Sequence, residues 1–276
     1  MSAASAFAAC EATVRSHDPD RWLSALFAPA AKRPFLHALY AFNHEIARVA
    51  ETVTQPMLGE IRLQWWRETV EQAREGRPRD HDVARALAAV FAETGLPFAP
   101  FDAMLDARLF DSGEDTFETL AELETYAGAT SGNLMRLAAG VLGGVDDSSA
   151  RNAGVAYALI GVIRAIPFHA ARRKLFLPRD MLADAGVHTG DVFAGRPGNI
   201  ASVIARLVAR ALDLSVQACS PPRPGAALPA LLPAATVPLY GRMLTRPGFD
   251  PFRDVTDVPQ YRRQLAMLRA RLRGLL

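Results

Sequence analysis

The chain has only two cysteines, Cys10 and Cys219, far apart and without C-x-x-C spacing. That excludes a disulfide framework and a thiolate metal knot, and it points to a reducing compartment. Lysine is almost missing: of 31 basic residues only Lys32 and Lys174 are lysine, a usage that with abundant alanine fits a GC-rich bacterial genome. Neither sign of charge dominates. The formal net charge is +2, so no global field steers the protein towards nucleic acid, and no recognition motif supports such a partner. No run reaches the roughly 18 to 20 apolar residues of a membrane span. The opening MSAASAFAACEATVRSHDPDRW lacks the basic start and apolar stretch of a signal peptide. Together these absences predict a cytoplasmic protein whose contact with a membrane, where it has one, is peripheral. Strand-like alternation is nearly absent, and there is no internal repeat or low-complexity tract.

Helical signals fill the chain instead, and half of its 276 residues are apolar, enough for a full core in one domain spanning 1–276. Asp18, Pro19 and Asp20 form a start signal for a short helix over 22–27. Pro34 opens a helix in which Phe35, Leu39, Phe42, Ile46, Val49 and Val53 make a stripe along about five turns. Further helices are predicted over 57–75, 83–94, 98–110, 134–142, 179–185 and 201–218, with an acidic loop over 111–115 and another loop over 190–198. A sharp break or close backbone approach is expected at Gly128 and the Ser131, Gly132, Asn133 group. Residues 224–241 are uncharged but interrupted by Pro229, Pro233 and Pro238, and read as buried core. Ser220 to Gly225 reads as a linker. The end of the chain, 255–276, reads as a basic amphipathic helix, with Tyr261, Leu265, Leu268, Leu272 and Leu275 at helical spacing among five arginines.

The segment Ala158 to Pro178, ALIGVIRAIPFHAARRKLFLP, sets an apolar helix against a basic turn and stops at Leu177 and Pro178. Pro167 removes a backbone donor and predicts a kink; if the helix continues past it, Arg164 and Arg172 lie on one face. This segment resembles the second signature of the squalene/phytoene synthase family, a helix reading roughly QxxNxxRDxxxD that leads through a basic turn into Y-L-P. Aligned on Leu177 and Pro178, the family arginine falls on Arg164 and the basic turn on Arg172 and Arg173. The two aspartate positions hold Ala165 and His169. The family's first signature, YAFCRxxDDxxDE, is matched by Tyr40 to Glu51, where the first two aspartate positions are Ala47 and Arg48 and only the third keeps a carboxylate, as Glu51. This pattern of loss is most similar to the family's non-catalytic branch, which includes a mitochondrial complex I assembly factor.

The resemblance implies an all-α isoprenoid-synthase-like helix bundle around a central cavity. In active members, aspartates hold magnesium against the leaving pyrophosphate. Here no catalytic residue is expected, and neither is a cofactor; magnesium enters only if the chain is an enzyme. An arginine at a metal position repels the ion by about 4 kcal/mol per unit charge at 4 Å and an effective dielectric of 20. His44, Glu45, Glu51 and His169 are the donors from which a zinc or iron site could be rebuilt, but no HxxxH or ExxH spacing supports one. Arg33, Tyr40, Arg48, Arg164 and Arg172 are candidates for a metal-free pocket for a prenyl diphosphate or a phospholipid head group. Trp65 and Trp66 read as packing residues.

The function implied is help in assembling respiratory complex I, with its subunits or assembly intermediates as partners, at the inner face of the bacterial inner membrane. The alternative is an active prenyltransferase making a squalene-like or phytoene-like product, in which Arg48, Glu51, Arg164 and His169 do the work of aspartates and magnesium.

Overall fold

Among the described residues (3–53, 55–113, 115–144, 146–196, 198–219 and 225–274 of a computed structural model) every regular element is helical and none is a strand. The linker expected at 220–225, apart from Gly225, and Leu275 of the terminal stripe lie outside these residues.

The chain begins with a helix the sequence did not suggest, α1 (Ala3–His17), whose small residues Ala6, Cys10 and Val14 recur every four positions and are its buried face. It is followed by α2 (Pro19–Ala25), begun three residues earlier than expected because Asp18 caps it by accepting from the Arg21 N–H. The long stripe from Phe35 is split: α3 (Arg33–Ala47) ends at Arg48, and one further turn, α4 (Val49–Thr52), carries Val49 back into the core. The next helices match the sequence reading closely: α5 (Pro56–Arg74), α6 (Asp82–Thr94) and α7 (Ala99–Ser112). Gly95, at φ 62°, ends α6 in the left-handed conformation that glycine adopts without penalty. These helices bury Trp66, Phe42 and Phe101 against one another, with Phe42 edge-on to Trp66 at 5.8 Å. Each such burial contributes roughly 1.5 to 3 kcal/mol. The acidic loop expected at 111–115 is shorter, since Asp111 and Ser112 belong to the last turn of α7.

The second half wraps around one long helix. After α8 (Leu120–Ala127) the chain makes no sharp break; Gly128 to Gly132 form a widened π turn that runs directly into α9 (Asn133–Val141). The close backbone approach is there. A Cβ on Gly154 would lie 2.5 Å from the Gly132 Cα, so position 154 excludes any side chain. Gly154 lies in α10 (Asp147–Arg164), which packs against α9, the π turn and α14 (Ile200–Gln217). At Ala165 the helix breaks, and α11 (Ile166–Ala171) restarts with Pro167 in its first turn, where the missing N–H costs nothing. Beyond it come α12 (Arg179–Asp184) and α13 (Thr189–Phe193), the latter inside the expected loop. The proline-broken stretch becomes α15 (Leu228–Leu231) and α16 (Val237–Leu244) joined by a 3-10 turn, nearly all of it buried. The last helix is α17 (Gln260–Arg273).

α17 is the basic amphipathic helix expected, and the structure shows which of its faces is packed. Its packed face is Arg263, Met267 and Ala270, while the stripe Tyr261, Leu265, Leu268 and Leu272 is exposed to 57, 45, 43 and 78%. Arg263 donates to the buried Asp20 at 2.7 Å. That enclosed ion pair holds the arginine in and leaves the leucines out.

Candidate functional site

The break at Arg48 and the break at Ala165 face each other across a cavity of about 530 Å³. α3 and α4 supply Asn43, Ala47, Ala50 and Glu51; α10 and α11 supply Tyr157, Ala158, Gly161, Ala165 and His169; Arg21, Arg108, Asp111 and Tyr126 close the inner end. A helix interruption turns the following side chains, so four of the five positions aligned with the family aspartates, Ala47, Glu51, Ala165 and His169, line this one space. Arg48 does not. Its guanidinium lies 3.8 Å from Glu45 and lines a separate small hollow with Thr52 and Arg62. The repulsion expected of it at a metal position is therefore not realised.

The other anion candidates separate in the same way. Arg172 lines the cavity, its guanidinium 3.7 Å from the Phe168 ring centroid, and it makes no ion pair among the described residues. Arg33 opens α3 and is spent on the Ala28 carbonyl at 2.9 Å. Tyr40 is buried in the core beneath Arg21, behind the cavity wall. Arg164 points away from the cavity: it sits over the Tyr240 ring at 4.3 Å and donates to the Thr256 carbonyl and to Asp257. Arg164 and Arg172 do not share a face because the helix stops between them.

The cationic lining comes largely from residues the sequence reading passed over. Arg108 donates to Asp111 at 2.9 Å and to the Tyr126 hydroxyl at 2.8 Å, and that hydroxyl donates to Asp111 at 2.6 Å. Burial alone would lower the Arg108 pKa, but the neighbouring Tyr126 and Asp111 outweigh it and raise it; burial also pushes the Tyr126 phenol well up. Arg21 is held by Asp18 at 2.6 Å and reaches the Ser131 hydroxyl. Lys174 is aimed inward by the turn that ends α11, where Arg173 takes φ 55°, the one described non-glycine residue with positive φ, at a cost of roughly 1 to 3 kcal/mol. The turn is closed by the Lys174 N–H on the His169 carbonyl at 2.9 Å, and the ammonium donates to the Gly113 carbonyl. The Arg108 and Asp111 spacing of three was a readable sign of a pair. Their meeting with Tyr126 needed the fold.

His169 stacks on Phe176 at 4.3 Å. Burial pushes its pKa down to about 4, with Arg172 adding to the effect and Asp111 opposing it, so the imidazole is neutral near pH 7. The cavity thus carries four cationic side chains and two carboxylates, of which Asp111 is already engaged by Arg108 and Tyr126. Magnesium asks for several oxygen ligands in near-octahedral array. Glu51 alone is available for it, and among the described residues no three His, Cys, Asp or Glu side chains converge as a metal site; His44, far from joining Glu51, stacks on His17. The donor set does not fit a magnesium cluster.

The family profile described as squalene/phytoene synthase matches residues 14–269. The chain belongs to the squalene/phytoene synthase family. Its relatives carry two kinds of name, assembly factor and synthase. It is 30% identical over 88% of its length to the human protein called NADH dehydrogenase (ubiquinone) complex I, assembly factor 6, covering 75% of that protein. To the phytoene synthase of Thermus thermophilus it is 31% identical over 66% of its length and 63% of that enzyme's. The fold is that of a dehydrosqualene synthase solved with a ligand, at a TM-score of 0.80 over 98% of this chain and 97% of that one with 18% identity. The isoprenoid-synthase-like bundle expected from the sequence is the architecture observed.

Proposed function

We propose that this chain is a catalytically silent member of the squalene/phytoene synthase family that assists assembly of respiratory complex I beside a membrane. The observation that carries the reading is the cavity itself: positions that would hold metal are Ala47, Ala165 and His169, with Glu51 the one carboxylate left, in a chain similar over most of its length to complex I assembly factors. Ionising an allylic diphosphate needs charge neutralisation at the leaving pyrophosphate. Arg21 and Arg108 are bound by their own carboxylate partners, and one neutral histidine offers no charge. What remains favours binding over turnover. Arg172 and Lys174 at the rim attract an anionic head, while Ala158, Gly161, Val162 and Phe168 give an apolar wall for a chain, a combination suited to a prenyl diphosphate or a phospholipid.

Deleting the gene and assaying membranes tests this: NADH dehydrogenase activity and complex I subunit levels fall, and both wild type and Glu51→Gln restore them. Unchanged membrane activity in the deletion strain would sink the assembly role. Rescue by wild type but not by Glu51→Gln would instead favour the second reading, an active prenyltransferase. That reading rests on the similarity to the Thermus thermophilus phytoene synthase and on Glu51 and Asp111 both facing the cavity.

A further inference from the structure

We propose that the outer face of α17 is a docking surface for an anionic lipid bilayer. At roughly 100° per residue, Tyr261, Leu265, Leu268 and Leu272 fall within one narrow stripe, and this stripe lies on the side of the helix opposite Arg263, Met267 and Ala270. The packed face is complete without it. Arg263 is fixed by Asp20 at 2.7 Å, and Met267 and Ala270 pack with Leu23, Leu228 and Leu232. No element among the described residues therefore covers the leucines.

The flanks decide what does. Arg262, Arg269 and Arg273 border the stripe on one side and Arg271 on the other, and the helix contains no Asp or Glu. Arg262 is turned onto its neighbour Tyr261, donating to that hydroxyl at 3.2 Å, and among the described residues none of these four arginines makes an ion pair. An apolar stripe with cationic borders matches the boundary between acyl chains and anionic head groups, where such helices lie in the plane of the interface. Leucines enter the acyl region while the arginines remain at the phosphates. A second copy of the chain is the less favourable occupant: it would bring the same arginines against these, and a stable dimer buries about 800 Å² per partner over some 20 to 30 residues, well beyond one stripe of four side chains. No described helix is long and apolar enough to cross a membrane, so α17 would bind from one side.

The inference gives the membrane contact of the proposed function a definite surface, and its test involves no complex I. Purified full-length protein is floated with vesicles of phosphatidylcholine alone and of equal parts phosphatidylcholine and phosphatidylglycerol. Wild type floats with the anionic vesicles and stays in solution with the neutral ones. Leu265→Ser with Leu272→Ser abolishes flotation without lowering the melting temperature, because both side chains are already exposed. Arg269→Gln with Arg273→Gln weakens it about fivefold per arginine removed and reduces its sensitivity to salt. Wild type that fails to float with anionic vesicles, or a serine variant that floats as well as wild type, overturns the proposal. So does a wild-type dimer in light scattering that the serine variant splits, which would assign the stripe to contact between copies. Failure here leaves the assembly role to stand or fall on the deletion strain.

Discussion

Asp20 and Arg263, 243 positions apart in sequence, meet at 2.7 Å with only 3 and 8% of their side chains exposed. Asp20 also accepts from the Tyr157 hydroxyl at 3.2 Å, and Tyr157 lines the cavity. One carboxylate therefore ties the terminal helix to the cavity wall.

Arg263→Met leaves Asp20 buried without its partner, a loss of about 3 to 5 kcal/mol. Melting followed by circular dichroism should fall by roughly 10 °C, and adding Asp20→Asn should recover much of it. Equal melting of the single variant and wild type would mean that α17 is not anchored by this pair.

His169 sets a pH dependence. Its folded pKa of about 4 lies below the ordinary histidine value of 6.5, so the folded state binds fewer protons than the unfolded state between those values. The stability this represents is present above pH 6.5 and is lost as pH falls towards 4, by up to about 3 kcal/mol. Denaturant midpoints measured across that window should fall for wild type and fall less for His169→Phe, which keeps the stack on Phe176. A His169 resonance titrating near 6.5 would contradict its half-buried placement against Phe176.

Gly154→Ala tests the contact of α10 with the π turn. A methyl group there meets backbone, not a flexible side chain, so the helices must separate, at a cost of about 1 to 3 kcal/mol. Gly161→Leu is the control, since a Cβ at Gly161 meets open space in the cavity. It should leave melting unchanged or raised, as glycine inside a helix costs roughly 0.5 to 1 kcal/mol.

Arg172→Gln should weaken binding of inorganic pyrophosphate, measured by calorimetry without metal, by about tenfold or more, the worth of one charge-assisted hydrogen bond. Arg33→Gln and Arg164→Gln should not, because these two are committed to Ala28 and to Thr256 with Asp257. Loss of binding in Arg33→Gln equal to that in Arg172→Gln would place the anion elsewhere.

The sequence carried the architecture further than the site. Helix periodicity located α5, α6, α7 and α14 within a few residues, and the close backbone approach expected around Gly132 is the one that Gly154 makes. The terminal helix was legible as amphipathic but not as to which face turns inward, because a buried ion pair with a residue at position 20 outweighs four leucines and no local pattern reports it. Arg164 and Arg48 were misplaced for a related reason: a helix break at or beside the residue redirects its side chain, and although Pro167 marked the break at Ala165, no proline or glycine marks the one at Arg48. α1 was missed because alanine and cysteine spaced by four make a weak apolar stripe that buries only against neighbouring helices.

Release of pyrophosphate from farnesyl and geranylgeranyl diphosphate by the purified protein, with magnesium and with manganese, tests the central claim most directly. The cavity predicts no release above a heat-killed control from protein whose circular dichroism is that of a folded helical chain. Steady release would mean that Glu51, His169 and the arginines replace the missing aspartates, and the chain would be an enzyme.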